Sequence, residues 1–125
     1  MTAVAEESTK DTTLRAVSGG IVRYLSPELL TNDKTLPTMD SDVYSFAMLM
    51  LECITEETPF SEYSRDAAVI RARIIEEKRP LRPGGPDPRK CVSGGLWDLM
   101  LRCWSTEGDC RPTMGQVYSF LLYSR

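Results

Sequence analysis

The sequence predicts an all-α fold, and three observations support this prediction. Apolar residues recur at helical spacing through the second half of the chain. A stretch from Val43 to Ile54 is apolar in every direction around a helix of 3.6 residues per turn, which is typical of a helix enclosed by other elements. No segment alternates apolar and polar residues as a half-buried strand does, and no internal repeat occurs.

The N-terminal part of the chain predicts a tail followed by a short helix. Residues 1–19 are polar, with too few large apolar groups to order themselves, so they predict a flexible tail. A short helix is expected at residues 26–30. Ser26 is a suitable N-cap, Pro27 suits the first helical position, and Glu28 lies near the positive end of the helix dipole.

An amphipathic helix and a loop follow the central apolar helix, which is expected to begin near residues 40–42. Residues 65–78 predict an exposed helix whose apolar stripe is Ala67, Ile70 and Ile74. Residues 79–90 contain four prolines and two adjacent glycines, so they predict a loop.

Two helices are predicted at the C-terminal end. Residues 96–104 form the first, and its apolar positions are Trp97, Met100, Leu101 and Trp104. The second begins at Thr113, which has capping-box spacing to Gln116. Its apolar positions are Met114, Val117, Tyr118 and Leu121.

Composition argues against several classes of protein. The net charge of −3 disfavours a nucleic-acid-binding module, and no apolar run is long enough to span a membrane. The first residues do not form a basic-then-apolar signal pattern, so a cytoplasmic or nuclear location is predicted. The four cysteines show no C-x-x-C spacing and the chain has no histidine, so no metal site is expected. Cys53 and Cys103 lie within apolar helical stretches and are predicted to be buried as small hydrophobes.

Four short motifs occur in a fixed order along the chain. They are Gly20–Glu28 (GIVRYLSPE), Ser41–Ala47 (SDVYSFA), Thr58-Pro59-Phe60, and Cys103-Trp104 followed by Arg111-Pro112-Thr113. Together they resemble the protein-kinase catalytic domain, in its tyrosine-kinase-like serine/threonine branch, from the activation segment onwards. The resemblance implies the C-terminal lobe of the kinase fold, with the end of the activation segment and helices F to I, but without the N-lobe and catalytic loop. Residues 20–125 would be this partial domain, and residues 1–19 a tail or an activation-segment remnant.

The resemblance implies roles for individual residues. Glu28 and Arg111 resemble the family's structural ion pair; the residues by themselves also allow a dipole-capping Glu28 and a solvated Arg111. Asp42 resembles the F-helix aspartate that anchors the catalytic loop. It is alternatively a first-turn acid stabilised by the helix dipole, with Asp40 or Ser41 as the cap.

Two further groups of residues follow from the resemblance. The substrate-segment remnant comprises Gly20, Ile21, Arg23 and Tyr24. Candidate phosphorylation sites lie where the activation loop would be, and a polar tail without a regulatory role is the alternative. These sites are Ser8, Thr9, Thr12, Thr13 and Ser18.

The residues that handle ATP in this family are missing from the sequence. There is no G-x-G-x-x-G, no Asp-Phe-Gly, and no histidine for the His-Arg-Asp motif. The expectation is a truncated or misplaced start, with no catalytic, cofactor-binding or metal-binding residue in this chain, and with an apolar patch exposed where the central helix loses its cover. A complete parent would be a transferase that uses ATP and magnesium to phosphorylate protein serine or threonine. The alternative is a non-catalytic, pseudokinase-like module that docks a protein through the helix at 65–78, without nucleic acid or membrane as partners.

Overall fold

A computed structural model describes residues 21–32 and 35–123. These residues form helices and turns and contain no strand, so the all-α prediction is confirmed. The helices are α1 (Pro27–Thr31), α2 (Met39–Thr55), α3 (Asp66–Ile74), α4 (Gly94–Cys103) and α5 (Met114–Tyr123). Short 3₁₀ turns lie at Ile21–Arg23, Pro88–Lys90 and Gly108–Cys110. The predicted tail at 1–19 and its five candidate phosphorylation sites lie outside the described residues.

Helix α2 begins with a capping box, although not at the predicted residues. The backbone N–H of Ser41 donates to Thr38 Oγ1 over 3.2 Å, and the N–H of Thr38 donates to Ser41 Oγ over 2.7 Å. Thr38 is therefore the N-cap, and the prediction of Asp40 or Ser41 as the cap is wrong. The reason is that the helix starts at Met39, which makes Ser41 the third helical residue of the box.

One face of α2 forms the centre of the core. The buried residues of this helix are Ser41, Val43, Tyr44, Ala47, Met48 and Leu51. They contact buried side chains of the other elements, among them Phe60, Val69, Met100 and Trp104. This arrangement agrees with the prediction that the helix is the hub of its fold.

The opposite face of α2 is open to solvent. Asp42, Leu49 and Cys53 fall on one side of the helix, and all three are exposed, with Leu49 at 47%. These exposed residues limit the predicted enclosure to part of the helix, and the large apolar patch expected on α2 stays a prediction. The prediction that Cys53 is buried is wrong because Cys53 lies on this exposed side, whereas Cys103 on α4 is fully buried.

Helix α3 buries a different face from the predicted one. Val69, Ala72 and Arg73 are buried, while Ala67 is exposed and Ile70 is only partly covered. The predicted stripe of Ala67, Ile70 and Ile74 is therefore wrong. The prediction treated only apolar residues as buried and therefore placed every arginine of the helix on the outside. The buried face of α3 nevertheless contains Arg73. This face packs against α1 and the Ile21–Arg23 turn.

Helices α4 and α5 complete the core. Trp104 is buried at the end of α4, where its ring meets that of Trp97 edge to face with centroids 5.5 Å apart, but Leu101 is partly exposed, contrary to prediction. The predicted capping box of α5 is present, since Thr113 N–H donates to Gln116 Oε1 over 2.8 Å and Gln116 N–H donates to Thr113 Oγ1 over 3.1 Å. Across the described ranges, no helix combines the length and apolarity needed to cross a bilayer.

Candidate functional site

The candidate site is the segment of residues 21–28, which runs from a 3₁₀ turn into α1. The N–H groups of Tyr24 and Leu25 both donate to the carbonyl of Ile21, over 3.0 and 3.3 Å, and this closes the turn. Pro27 then occupies the first turn of α1, where a missing backbone N–H costs nothing. We call residues 21–26 the substrate segment, after the role that the sequence resemblance implies.

Glu28 and Arg111 come together at the end of this segment. Arg111 Nη1 lies 2.8 Å from Glu28 Oε2, and Arg111 Nη2 lies 2.8 Å from Glu28 Oε1, so the pair is bidentate. The Arg111 side chain has no solvent exposure, while that of Glu28 is one-third exposed. The hydrogen bonds from Arg111 hold the pKa of Glu28 below its ordinary value, against the opposing effect of burial. The pair joins α1 to the loop before α5.

Arg111 also ties this loop to the start of α2. Its Nε donates to the carbonyl of Ser105 over 2.9 Å, and its Nη1 donates to the carbonyl of Asp40 over 3.0 Å. Its guanidinium lies 5.0 Å from the centroid of the Tyr44 ring. A Cβ atom at Gly108 would lie 3.3 Å from the Cβ of Asp40, so the missing side chain lets the loop approach α2 closely. The Arg111 guanidinium therefore contacts three separate parts of the chain, which are α1, the loop before α5 and the start of α2.

Asp42 lies in the first turn of α2 and is exposed. Its carboxylate has no hydrogen-bond or ion-pair partner among the described residues, although its position suits the positive end of the helix dipole. The arrangement agrees with the alternative role given to Asp42 from the sequence. The anchoring role implied by the resemblance stays a prediction.

The side chain of Arg23 turns inward. It is buried, and its Nε lies 3.0 Å from Asp66 Oδ1. Its terminal nitrogens donate to the carbonyls of Pro59, Phe60 and Tyr63 over 3.0, 2.8 and 2.8 Å. Every described contact of the guanidinium is therefore with the loop before α3 or with the first residue of that helix.

Tyr24 also turns inward, whereas Ile21 does not. The Tyr24 hydroxyl donates to Glu52 Oε1 on α2, and Ser45 Oγ donates to the Tyr24 carbonyl over 2.9 Å. Burial, assisted by the Glu52 carboxylate, raises the pKa of Tyr24 to about 12. Ile21 is 46% exposed, and Gly20 lies outside the described residues. Of the described members of the predicted substrate-segment remnant, Ile21 is the one that faces solvent.

Arg73 is the residue of this site that the sequence reasoning missed. It is 97% buried, with 3% of its surface exposed. Its Nη1 donates to the carbonyl of Val22 over 2.6 Å, and its Nη2 donates to the carbonyl of Leu25 and, over 2.8 Å, to the Tyr44 hydroxyl. A signal was present in the sequence, because Arg73 lies four residues after Val69 and so shares its helix face.

The residues that the structure describes do not fit magnesium-ATP. Among residues 21–32 and 35–123, no group of three or more acidic or thiol side chains could hold a metal ion. A cavity of about 390 Å³ is lined by Leu51, Phe60, Arg82, Lys90 and several prolines, among other residues, and it has no glycine-rich phosphate loop.

Comparison with known proteins identifies the family to which this chain belongs. Residues 2–121 match the family model for protein tyrosine and serine/threonine kinases. The chain belongs to the protein kinase family. This match and the helices of the described residues, among which no strand occurs, confirm the fold prediction of a fragment that resembles the C-terminal lobe of a kinase.

Individual kinases show how much of a kinase this chain corresponds to. It is 33% identical over 102 residues to receptor-interacting serine/threonine-protein kinase 4 of Mus musculus, and the matched region covers 80% of this chain and 13% of that kinase. It is 37% identical over 99 residues to receptor-interacting serine/threonine-protein kinase 3 of Rattus norvegicus, covering 77% of the chain and 20% of that kinase. It is 33% identical over 125 residues to the probable serine/threonine-protein kinase qkgA of Dictyostelium discoideum, covering 98% and 8% respectively. The chain thus spans a fifth or less of the length of these kinases.

Proposed function

We propose that this chain forms the substrate-facing part of the C-terminal lobe of a serine/threonine protein kinase. The observation that carries the proposal is the bidentate contact of Glu28 with Arg111, which ties α1, the helix directly after the substrate segment, to the last loop in the way that the family resemblance implies. The similar kinases named above support serine/threonine specificity for a complete parent, which would transfer the γ-phosphate of ATP to protein.

These 125 residues are proposed to be inactive by themselves. Phosphoryl transfer depends on positioning the γ-phosphate and its metal ions against a base. The sequence provides no glycine-rich phosphate loop, no His-Arg-Asp and no Asp-Phe-Gly for that task. ATP and magnesium therefore belong to the proposed parent, and the predicted cytoplasmic or nuclear location stays a prediction.

Calorimetry with magnesium-ATP tests this proposal directly. We expect no heat of binding at nucleotide concentrations up to about 1 mM, with a complete kinase of the family as the positive control. Phosphate transfer from labelled ATP to a generic serine-rich protein should likewise be absent. Saturable binding, or transfer above the rate of a no-enzyme control, would overturn the proposed inactivity.

A non-catalytic protein-binding module is the second candidate, because α5 presents an exposed apolar face. Met114, Tyr118 and Leu122 recur at intervals of four residues and are 38%, 64% and 40% exposed, and Leu121 lies beside them at 39%. Helix α5 contains no charged residue. Contiguous apolar surface of this kind marks interaction sites more often than scattered single residues do.

Docking through the region of residues 65–78 also stays a proposal. The inward face of α3 is already occupied by the substrate segment and α1, so any partner would contact the outer face, which includes Ala67 and Arg71. Substituting Arg71→Glu and, separately, Tyr118→Glu tests the two surfaces in a binding assay with a candidate protein. Loss of binding with one variant identifies the surface used, and binding that neither variant weakens would exclude both.

A further inference from the structure

Two buried arginines connect the substrate segment and α3 in opposite directions. Arg73 extends from α3 and donates to the carbonyls of Val22 and Leu25 within the segment. Arg23 extends from the segment and forms an ion pair of 3.0 Å with Asp66, the first residue of α3. Each element therefore provides a cation that the other element holds.

The contacts of Arg23 extend this connection to the loop that leads into α3. Its guanidinium reaches the carbonyls of Pro59, Phe60 and Tyr63. Since five hydrogen-bond donors lie in one rigid plane, a guanidinium that binds several carbonyls fixes their relative positions. The loop at 59–63, the start of α3 and the substrate segment are held around this one group.

Arg73 is held without a carboxylate. No acidic oxygen lies within 4.0 Å of it in the part of the chain that the structure describes. Its charge is stabilised by carbonyl dipoles, by the Tyr44 hydroxyl and by the faces of Tyr44 and Phe60, whose centroids are 5.1 and 5.5 Å from its guanidinium carbon. Burial lowers the pKa of Arg73, but a guanidinium stays protonated in proteins, so the cation must keep these partners.

The segment depends on Arg73 in turn. The carbonyls of Val22 and Leu25 accept no other hydrogen bond from the described residues. Withdrawal of Arg73 would leave both carbonyls unpaired beneath the segment, at a cost that local opening to water can relieve. The first structural response to losing Arg73 should therefore be opening of residues 21–26.

We propose that Arg23 and Arg73 are reciprocal positioning residues that set the place of the substrate segment relative to α3. A displacement of α3, for example by a protein bound to its outer face, is then transmitted to the segment through Arg73. The contacts that carry this coupling all lie between residues 22 and 73. The coupling goes beyond the proposed function, because it holds whether or not a parent transfers phosphate.

Amide hydrogen exchange of the 125-residue chain tests the proposal. The probes are the amides of Tyr24 and Leu25, which close the turn by donating to Ile21. In Arg73→Met, which keeps an unbranched apolar side chain but removes the charge and the donors, we expect their exchange to accelerate about 10-fold or more. The amide of Val117 on α5, which donates to Thr113 over 3.0 Å, serves as the internal reference and should change by less than about threefold.

A matched variant and two further substitutions complete the test. Arg82→Met removes an exposed arginine with a single bond to the Val92 carbonyl and should leave the Tyr24 and Leu25 amides unchanged. Unchanged exchange in Arg73→Met would overturn the proposal. An equal acceleration at Val117 would overturn it too, because Arg73 would then stabilise the whole fold. If Arg73→Met does not fold, Arg73→Lys and Asp66→Asn take its place. The same two results would overturn the proposal: unchanged exchange at Tyr24 and Leu25, or an equal acceleration at Val117.

Discussion

Removing the guanidinium of Arg111 should lower the free energy of unfolding more than substituting any exposed arginine does. Arg111→Met deletes two hydrogen bonds of 2.8 Å to Glu28 and leaves the carbonyls of Ser105 and Asp40 without this donor. Because the Arg111 side chain is completely buried, water cannot replace it in the native state. We expect the free energy of unfolding to fall by about 3–4 kcal/mol.

Glu28→Gln should cost less, because its partner keeps other acceptors. Glu28 is one-third exposed, so water compensates part of the lost interaction, and the amide oxygen of Gln can still accept one bond. We expect a loss of about 1–2 kcal/mol. In the double variant, the two losses should fall short of additivity by about 1–2 kcal/mol, because both substitutions remove the same contact.

Urea unfolding followed by circular dichroism measures all three variants against the parent chain. Arg89→Met is the matched control, since the Arg89 side chain is 88% exposed, and its effect should stay within about 0.5 kcal/mol. Full additivity of Glu28→Gln and Arg111→Met would refute the reasoning, because it would mean that the two side chains do not stabilise the fold through each other.

Two further predictions use titration and thiol chemistry. The pKa of Glu28 is lowered in the folded chain, so its contribution to stability is complete above the ordinary value of 4.5 and is lost as pH falls through the lowered pKa. The thermal midpoint should therefore drop more between about pH 6 and about pH 3 in the parent chain than in Glu28→Gln, and equal drops would contradict this. Cys103 is fully buried and burial raises the pKa of its thiol to about 11, so a thiol reagent at neutral pH should label it only after unfolding. The exposed thiols of Cys53, Cys91 and Cys110 should react in the native state, and equally fast labelling of all four would count against the buried position.

The starts of α1 and α5 and the order of the helices along the chain could be predicted from the sequence because they depend on local rules. The Thr113–Gln116 capping box and Pro27 at the start of α1 involve residues only a few positions apart, so their spacing is sufficient evidence. The face that each helix buries was harder to predict. Ala67 and Leu101 were predicted to lie on the apolar stripes of their helices, yet both are exposed, since their burial depends on which neighbour packs against the helix.

The sequence by itself determined that this chain is helical, that it carries the ordered motifs of a kinase C-terminal lobe, and that it lacks the residues that handle ATP. The tertiary structure decided what the charged residues do. The linear sequence does not show which groups Arg23 and Arg73 bind, because the carbonyls they bind are more than 35 residues away. A buried cation is stable only where the fold brings such distant acceptors together, so the role of these arginines is a property of the fold.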